Sequence, residues 1–175
     1  MFPLANNYSK EQLLKKLASE EFSRKTLSFY RYIKIADPQK FRDELFATWS
    51  KFQILGRVYV SQEGINAQIN VPEPHWREFI AHLEDTKELR NMPLKIAIQQ
   101  GESFYKLTIK VKKQIVADGL PIDAYNIENI GKHLNAEEFN ALADSEETMI
   151  VDMRNSYESE IGHFQKALCP EAETF

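Results

Sequence analysis

Glu63-Gly-Ile-Asn-Ala-Gln-Ile-Asn-Val-Pro72 alternates apolar and amide side chains with a period of two. Ile65, Ala67, Ile69 and Val71 face one way and Asn66, Gln68 and Asn70 the other, which predicts a half-buried strand. Gly64 supplies the permissive backbone of a tight turn, so this strand closes a hairpin with the short strand predicted over 57–61. Pro72 and Pro74 end it. Working upstream, Gly56 is expected to stop a helix whose apolar residues Phe41, Leu45, Trp49 and Phe52 recur at helical spacing. That helix starts at Asp37-Pro38, a capping carboxylate followed by proline at the first helical position. Before it, Leu27, Phe29, Ile33 and Ile35 alternate with Ser28, Tyr30, Tyr32 and Lys34, a second strand whose apolar face Arg31 interrupts. Downstream, Trp76, Phe79, Ile80 and Leu83 give another amphipathic helix, and Leu94, Ile96 and Ile98 alternate again.

The order is β-α-β-β-α-β. It predicts an α+β ferredoxin-like, acylphosphatase-like sandwich, with two helices on one face of a four-stranded antiparallel sheet. A further strand follows, with Leu107, Ile109 and Val111 opposite Lys106, Lys110 and Lys112. Near the N-terminus, Ser9-Lys-Glu-Gln12 reads as a capping box before a short helix carrying Leu13, Leu14 and Leu17. The expected organisation is a first domain over 1–117, a linker over 118–130, and an incomplete α/β domain over 131–175.

Composition supports the division. The chain has 175 residues, 43% hydrophobic and 27% charged, which suits a folded domain rather than disorder. The first 130 residues carry a net charge of +3 and the last 45 a net of −7, so the two segments present different surfaces. No apolar run approaches the roughly 18 residues of a membrane span. The lone Cys169 excludes an intrachain disulfide, and His75, His82, His133 and His163 lack metal-ligand spacing. No secretory signal is visible, and a cytoplasmic location is expected.

In the second segment, Asn135-Ala-Glu-Glu138 suits a helix start, and Thr148-Met-Ile-Val-Asp152 reads as a buried parallel strand. A short helix over 157–161 closes at Gly162. Asp152 at the strand end is placed to accept hydrogen bonds from the following turn, and Arg154 to pair with Glu158 or Glu160. The pieces Asp152-Met-Arg154, Tyr157-Glu158 and Gly162-His163 with Ala167 resemble a rhodanese domain. By that resemblance Asp152, Arg154, Glu158 and His163 frame the fold. The reactive cysteine would lie on a later loop beyond Phe175, leaving this chain inactive by itself and Cys169 an ordinary small apolar residue.

The first segment adds Ser28-Phe-Tyr-Arg-Tyr32, Ile35-Ala-Asp-Pro38, Gly56-Arg-Val-Tyr59, Glu63-Gly-Ile-Asn-Ala-Gln68 and Val116-Ala-Asp-Gly119. Together the two halves resemble the bacterial TrhO family, rhodanese-domain tRNA uridine 5-hydroxylases. The resemblance implies oxygen-dependent 5-hydroxylation of the wobble uridine, with tRNA as partner and molecular oxygen as co-substrate. The sequence names no cofactor, no metal ligands and no route for oxygen activation. A rhodanese-type sulfurtransferase and a non-catalytic RNA- or protein-binding fragment are the alternatives. Acylphosphatase chemistry is disfavoured, because Lys34-Ile-Ala-Asp-Pro38 lacks the arginine-bearing anion loop that it needs.

On this reading the sheet face away from the helices carries Tyr30, Tyr32 and Lys34, with Asn66, Gln68, Asn70, Lys95 and Gln99. Lys106, Lys110 and Lys112 extend it. Tyrosines beside lysines and amides suit base stacking and phosphate contact, so Tyr30, Tyr32, Lys34, Lys110 and Lys112 are the RNA-binding candidates. The same residues also fit a solvated face, a surface covered by the N-terminal helix or extra strand, or lysines guarding an edge.

Overall fold

The structure, a computed structural model, describes residues 8–97, 104–115, 126, 129 and 131–171. The chain divides into two compact units, Met1–Ile115 and Val116–Phe175. The expected strand residue Ile98, Gln99, and most of the 118–130 linker lie outside the described residues.

In the first unit the elements run α1 (Lys10–Ala18), β1 (Arg24–Tyr32), α2 (Pro38–Lys51), β2 (Leu55–Ser61), β3 (Gly64–Pro72), α3 (Trp76–Asp85), β4 (Lys95–Ile96) and β5 (Leu107–Val111). The sheet order is β4-β1-β3-β2-β5. Its first four strands are antiparallel neighbours in the ferredoxin-like order, and β5 adds to the β2 edge in parallel. The extra strand therefore widens the sheet instead of covering it.

Local signals set the helix starts. Ser9 and Gln12 form the reciprocal capping box of α1. The Asp37 carboxylate accepts from Lys40 N at the head of α2, with Pro38 in its first turn. The end of α2 differs from expectation. Gly56 does not stop it; Gln53, at φ 54°, turns the chain, and Gly56 lies inside β2. Gly56 is needed there because a Cβ would stand 2.3 Å from the Gln68 carbonyl oxygen of the neighbouring strand. Gly64 has the same role in the hairpin, where a Cβ would meet Arg31 O at 2.0 Å.

Leu27 and Phe29 of β1, Val58 and Val60 of β2, and Ile65, Ala67, Ile69 and Val71 of β3 form the floor of the core. Phe41, Leu45, Phe46 and Trp49 of α2 and Phe79 and Leu83 of α3 cover it. Trp49, fully buried, joins the layers: its ring meets Phe29 edge-on at 6.4 Å and Phe79 at 5.9 Å. Such pairs add about 0.5–1.5 kcal/mol beyond area burial.

Arg31 breaks the apolar face for a reason that lies about sixty residues away. Its guanidinium donates to the carbonyls of Arg90 and Asn91 at 2.7 Å each, and to that of Glu88 at 3.4 Å. It thereby fastens the turn after α3, where Asn91 sits at φ 53°. A second long-range tie involves Glu63, which is 2% exposed in the β2–β3 turn. Its carboxylate accepts from Ile115 N at 2.6 Å, and its own N–H donates to Ser61 Oγ. The hairpin thus holds the last residue of the first unit.

In the second unit, α4 (Ala136–Ala143) opens with a capping box between Asn135 and Glu138, and α5 (Ser156–Ile161) is followed by Gly162. The strand expected over 148–152 is reduced to a parallel bridge between Val151 and Leu168. Asp152 N donates to Leu168 O and Leu168 N to Ile150 O, both at 2.8 Å. Met149 is 73% and Val151 46% exposed, so the expected burial of this run is not observed. With one bridge in place of a ladder, nothing among the described residues of this unit buries those side chains.

Candidate nucleic-acid interface

Strand register decides which side chains share the face opposite α2 and α3. Tyr30 of β1 is opposite Asn66 of β3, Asn66 opposite Tyr59 of β2, and Tyr59 opposite Lys110 of β5. These four make one row across the sheet. A parallel row places Lys95, Ser28, Gln68, Arg57 and Thr108 side by side. One step toward the hairpin, Tyr32 is opposite Gly64 and Gly64 opposite Ser61. Lys112 follows β5 directly, its N–H donating to Val60 O at 2.8 Å.

The middle of this face is open. Tyr30 is 57% exposed, and Arg57, Gln68, Lys95 and Lys110 are exposed as well. Asn66, Tyr59 and Tyr32 are half-buried, and Lys34 is exposed beyond the end of β1. The Lys112 ammonium stands 5.4 Å from the centre of the Tyr59 ring. Among the described strand residues on this side none is acidic.

The other end of the face is closed, which corrects the expectation for Asn70. It is 1% exposed, and Thr26 has a buried hydroxyl without a hydrogen-bond partner among the described residues. Phe104 shares a pocket wall with Thr26, Ser28 and Gln68 there. Leu13 and Leu17 of α1 line a cavity of about 260 Å³ with Leu55 and Tyr105. Arg24, ion-paired with Glu20 at 2.7 Å, donates to the Gln53 carbonyl at 2.9 Å beside that cavity.

Of the five sequence candidates, register thus brings Tyr30 and Lys110 onto one row and Tyr32 onto the adjoining one, while Lys112, just past β5, reaches the Tyr59 ring. Lys34 lies past the strand. Two residues were missed by reading the sequence: Arg57 and Tyr59. Their alternation with Val58 and Val60 was the available signal.

In the second unit the hydrogen-bonded ion pair of Arg154 is with Asp152, while Glu158 acts on the guanidinium only through its charge. Arg154 Nε donates to Asp152 Oδ1 at 2.9 Å and Nη2 to Oδ2 at 2.5 Å, and Nη2 also reaches Gly162 O at 2.7 Å. The Arg154 guanidinium and backbone N–H hold the Asp152 carboxyl at a pKa of about 2, below the usual carboxylate range. Glu158 accepts from the Asn155 side chain at 3.0 Å, and His163 Nδ1 lies 2.8 Å from Ser159 O. These contacts tie the bridge segment to α5. Among the described residues no group of three or more histidine, cysteine, aspartate or glutamate side chains is placed to hold a metal ion.

A family model described as UPF0176 acylphosphatase like domain matches residues 24–115. That interval begins at the first residue of β1 and ends at the last residue of the first unit. Similar proteins named tRNA uridine(34) hydroxylase include one from Leptospira interrogans serogroup Icterohaemorrhagiae serovar Lai, 49% identical over 99% of this chain and 47% of its own length. One from Pectobacterium carotovorum subsp. carotovorum is 43% identical over 98% of this chain and 49% of its own. One from Escherichia fergusonii is 42% identical over 98% and 50%. The chain spans about half the length of these curated relatives. With sheet order, strand limits and matched interval in agreement, the chain belongs to the UPF0176 acylphosphatase-like domain family.

Proposed function

We propose that this chain acts in tRNA modification, in the oxygen-dependent 5-hydroxylation of the wobble uridine, and that tRNA meets the first unit on its open sheet face. The observation that carries the reading is 49% identity across 99% of the chain to a protein named tRNA uridine(34) hydroxylase. Tyr30, Tyr32, Lys34, Lys110 and Lys112 are the contacts assigned to tRNA. An exposed face with aromatic rings, amides and cations, and no acidic strand residue, supports that role. The second unit is read as the opening part of a rhodanese-like domain, framed by Asp152, Arg154, Glu158 and His163. The Asp152–Arg154 pair and the parallel bridge at Val151 support this. No described residue is assigned the oxidation step. The proposed location is the cytoplasm, where the tRNA substrate resides; no described helix is long and apolar enough to cross a membrane.

The test is nucleoside analysis of tRNA from aerobically grown cells lacking this gene and its functional equivalents, with and without a restored copy. Restoration of 5-hydroxyuridine derivatives at the wobble position is expected. Their unchanged presence in the deletion strain, or their absence after restoration, overturns the reading. A sulfurtransferase would leave the 5-hydroxy nucleosides untouched.

A further inference from the structure

We propose that Tyr30 and Tyr59 form a two-ring platform for neighbouring unpaired bases of single-stranded RNA, and that Lys112 leaves the Tyr59 ring for a phosphate when a base arrives. The proposal deepens the tRNA reading above and rests on it. The register supplies its geometry. Tyr30, Asn66 and Tyr59 lie opposite one another on three adjacent strands, on one face. The two tyrosines are therefore two strand spacings apart, about 10 Å at their backbones. Asn66 between them offers both a donor and an acceptor to a base edge.

Stacking on a sheet requires bases that are splayed out of a helix, because A-form duplexes hide their base faces. The fitting RNA is thus a loop or single strand. Charge gives the platform a sidedness. Arg57, Lys110 and Lys112 cluster on the β2–β5 side, against Lys95 at the β4 edge, so the phosphate chain runs nearer Tyr59 than Tyr30.

Lys112 now stands over the Tyr59 ring. An exposed cation–π contact of this kind contributes about 2- to 5-fold in an equilibrium. A base stacked on an aromatic ring contributes about 5- to 150-fold. The base wins the competition, and the displaced ammonium keeps its charge for a phosphate oxygen. Tyr59 is thereby held ready by a contact that is easily exchanged.

The experiment is an anisotropy titration of the full 175-residue chain with labelled oligouridylate and with an RNA duplex of equal length, at several salt concentrations. Tyr30→Ala and Tyr59→Ala are each expected to weaken single-strand binding about 5- to 100-fold without changing its salt slope. Tyr30→Phe and Tyr59→Phe stay within about twofold of the parent protein, since the rings persist. Lys112→Gln lowers the salt slope by about one. Urea midpoints of all variants separate lost binding from lost fold. No single-strand binding by the parent protein overturns the proposal. So does Tyr59→Ala within about twofold of it, or an equal loss for the duplex. Normal binding by Tyr59→Ala, with tRNA hydroxylation still dependent on the gene, removes the platform and leaves the hydroxylase reading. Tyrosine-dependent binding without gene-dependent hydroxylation does the reverse.

Discussion

Replacing Arg31 by methionine keeps most of the side chain's length and removes its fork of donors. The two 2.7 Å bonds to Arg90 O and Asn91 O are charge-assisted, while the 3.4 Å approach to Glu88 O is long enough to neglect. Hydrogen bonds to charged groups contribute about 1.5–3 kcal/mol each, and the lower figure applies at this half-buried site. The expected loss is about 3 kcal/mol. With an m-value of about 2 kcal/mol/M in urea, the unfolding midpoint of the first unit falls by about 1.5 M. Arg31→Lys keeps the charge but presents a single ammonium where a planar fork had spanned two carbonyls, so it recovers about half of the loss. Tryptophan fluorescence follows the transition, because Trp49 and Trp76 both belong to this unit. Hydrogen exchange at Leu89 and Arg90, whose N–H groups bond to Thr86 O at 2.9 Å, should quicken more than exchange in β3. A midpoint within about 0.3 M of the parent protein, or equal losses for methionine and lysine, refutes the account of Arg31 as a clamp.

Further outcomes follow from other contacts. Burial lowers the pKa of His82 against an opposing effect of Asp85, and its Nε2 has no hydrogen-bond partner among the described residues. The unfolded chain therefore takes up a proton first as the pH falls through about 6.5, and stability declines until the folded pKa is reached; His82→Leu should flatten the difference between urea midpoints at pH 7.5 and 5.5. Asp152, with a pKa of about 2, contributes stability above the ordinary carboxylate range that is lost as pH falls toward 2. Arg154→Met should raise the titration of the Asp152 carboxyl resonance only part of the way back toward the ordinary carboxylate range, because the backbone N–H of residue 154 still donates to it, and an unmoved titration would count against the pair. Gly64→Ala places a methyl against Arg31 O at a φ of 152°, so a loss above about 1 kcal/mol is expected in thermal or urea unfolding. Trp49→Ala should cost about 3–5 kcal/mol by the same measurement.

Much of the first unit was legible because its signals are local. The alternation in 65–71, the Asp37-Pro38 helix start and the Ser9 capping box each need only a few neighbouring residues. Gly56 was misread because a glycine after a helical pattern looks the same whether it ends the helix or admits a neighbouring backbone. Only the pairing of β2 with β3 shows that Gln68 O occupies the space of its missing Cβ. Tyr59 and Arg57 were missed for a related reason: a five-residue strand shows its alternation, but register alone puts Tyr59 in the row of Tyr30. The partners of Arg31 lie 57 to 60 residues away and carry no side-chain signature, being backbone carbonyls. In the second unit, Asp152 and Arg154 close a ring two residues apart, nearer than the helical carboxylates that spacing had favoured.

The buried Glu63 carboxylate has a mechanical consequence. Tension on the chain that follows Ile115 reaches the Ile115 N–H first, and that group is anchored by Glu63 to the turn between two interior strands. Only after this anchor yields does the load pass to β5, whose bonds to the parallel β2 must then shear along the edge of the sheet. One side chain thus acts as a strain relief between the edge strand and whatever pulls on it, and Glu63→Ala should lower the force at which β5 shears from β2 in single-molecule pulling.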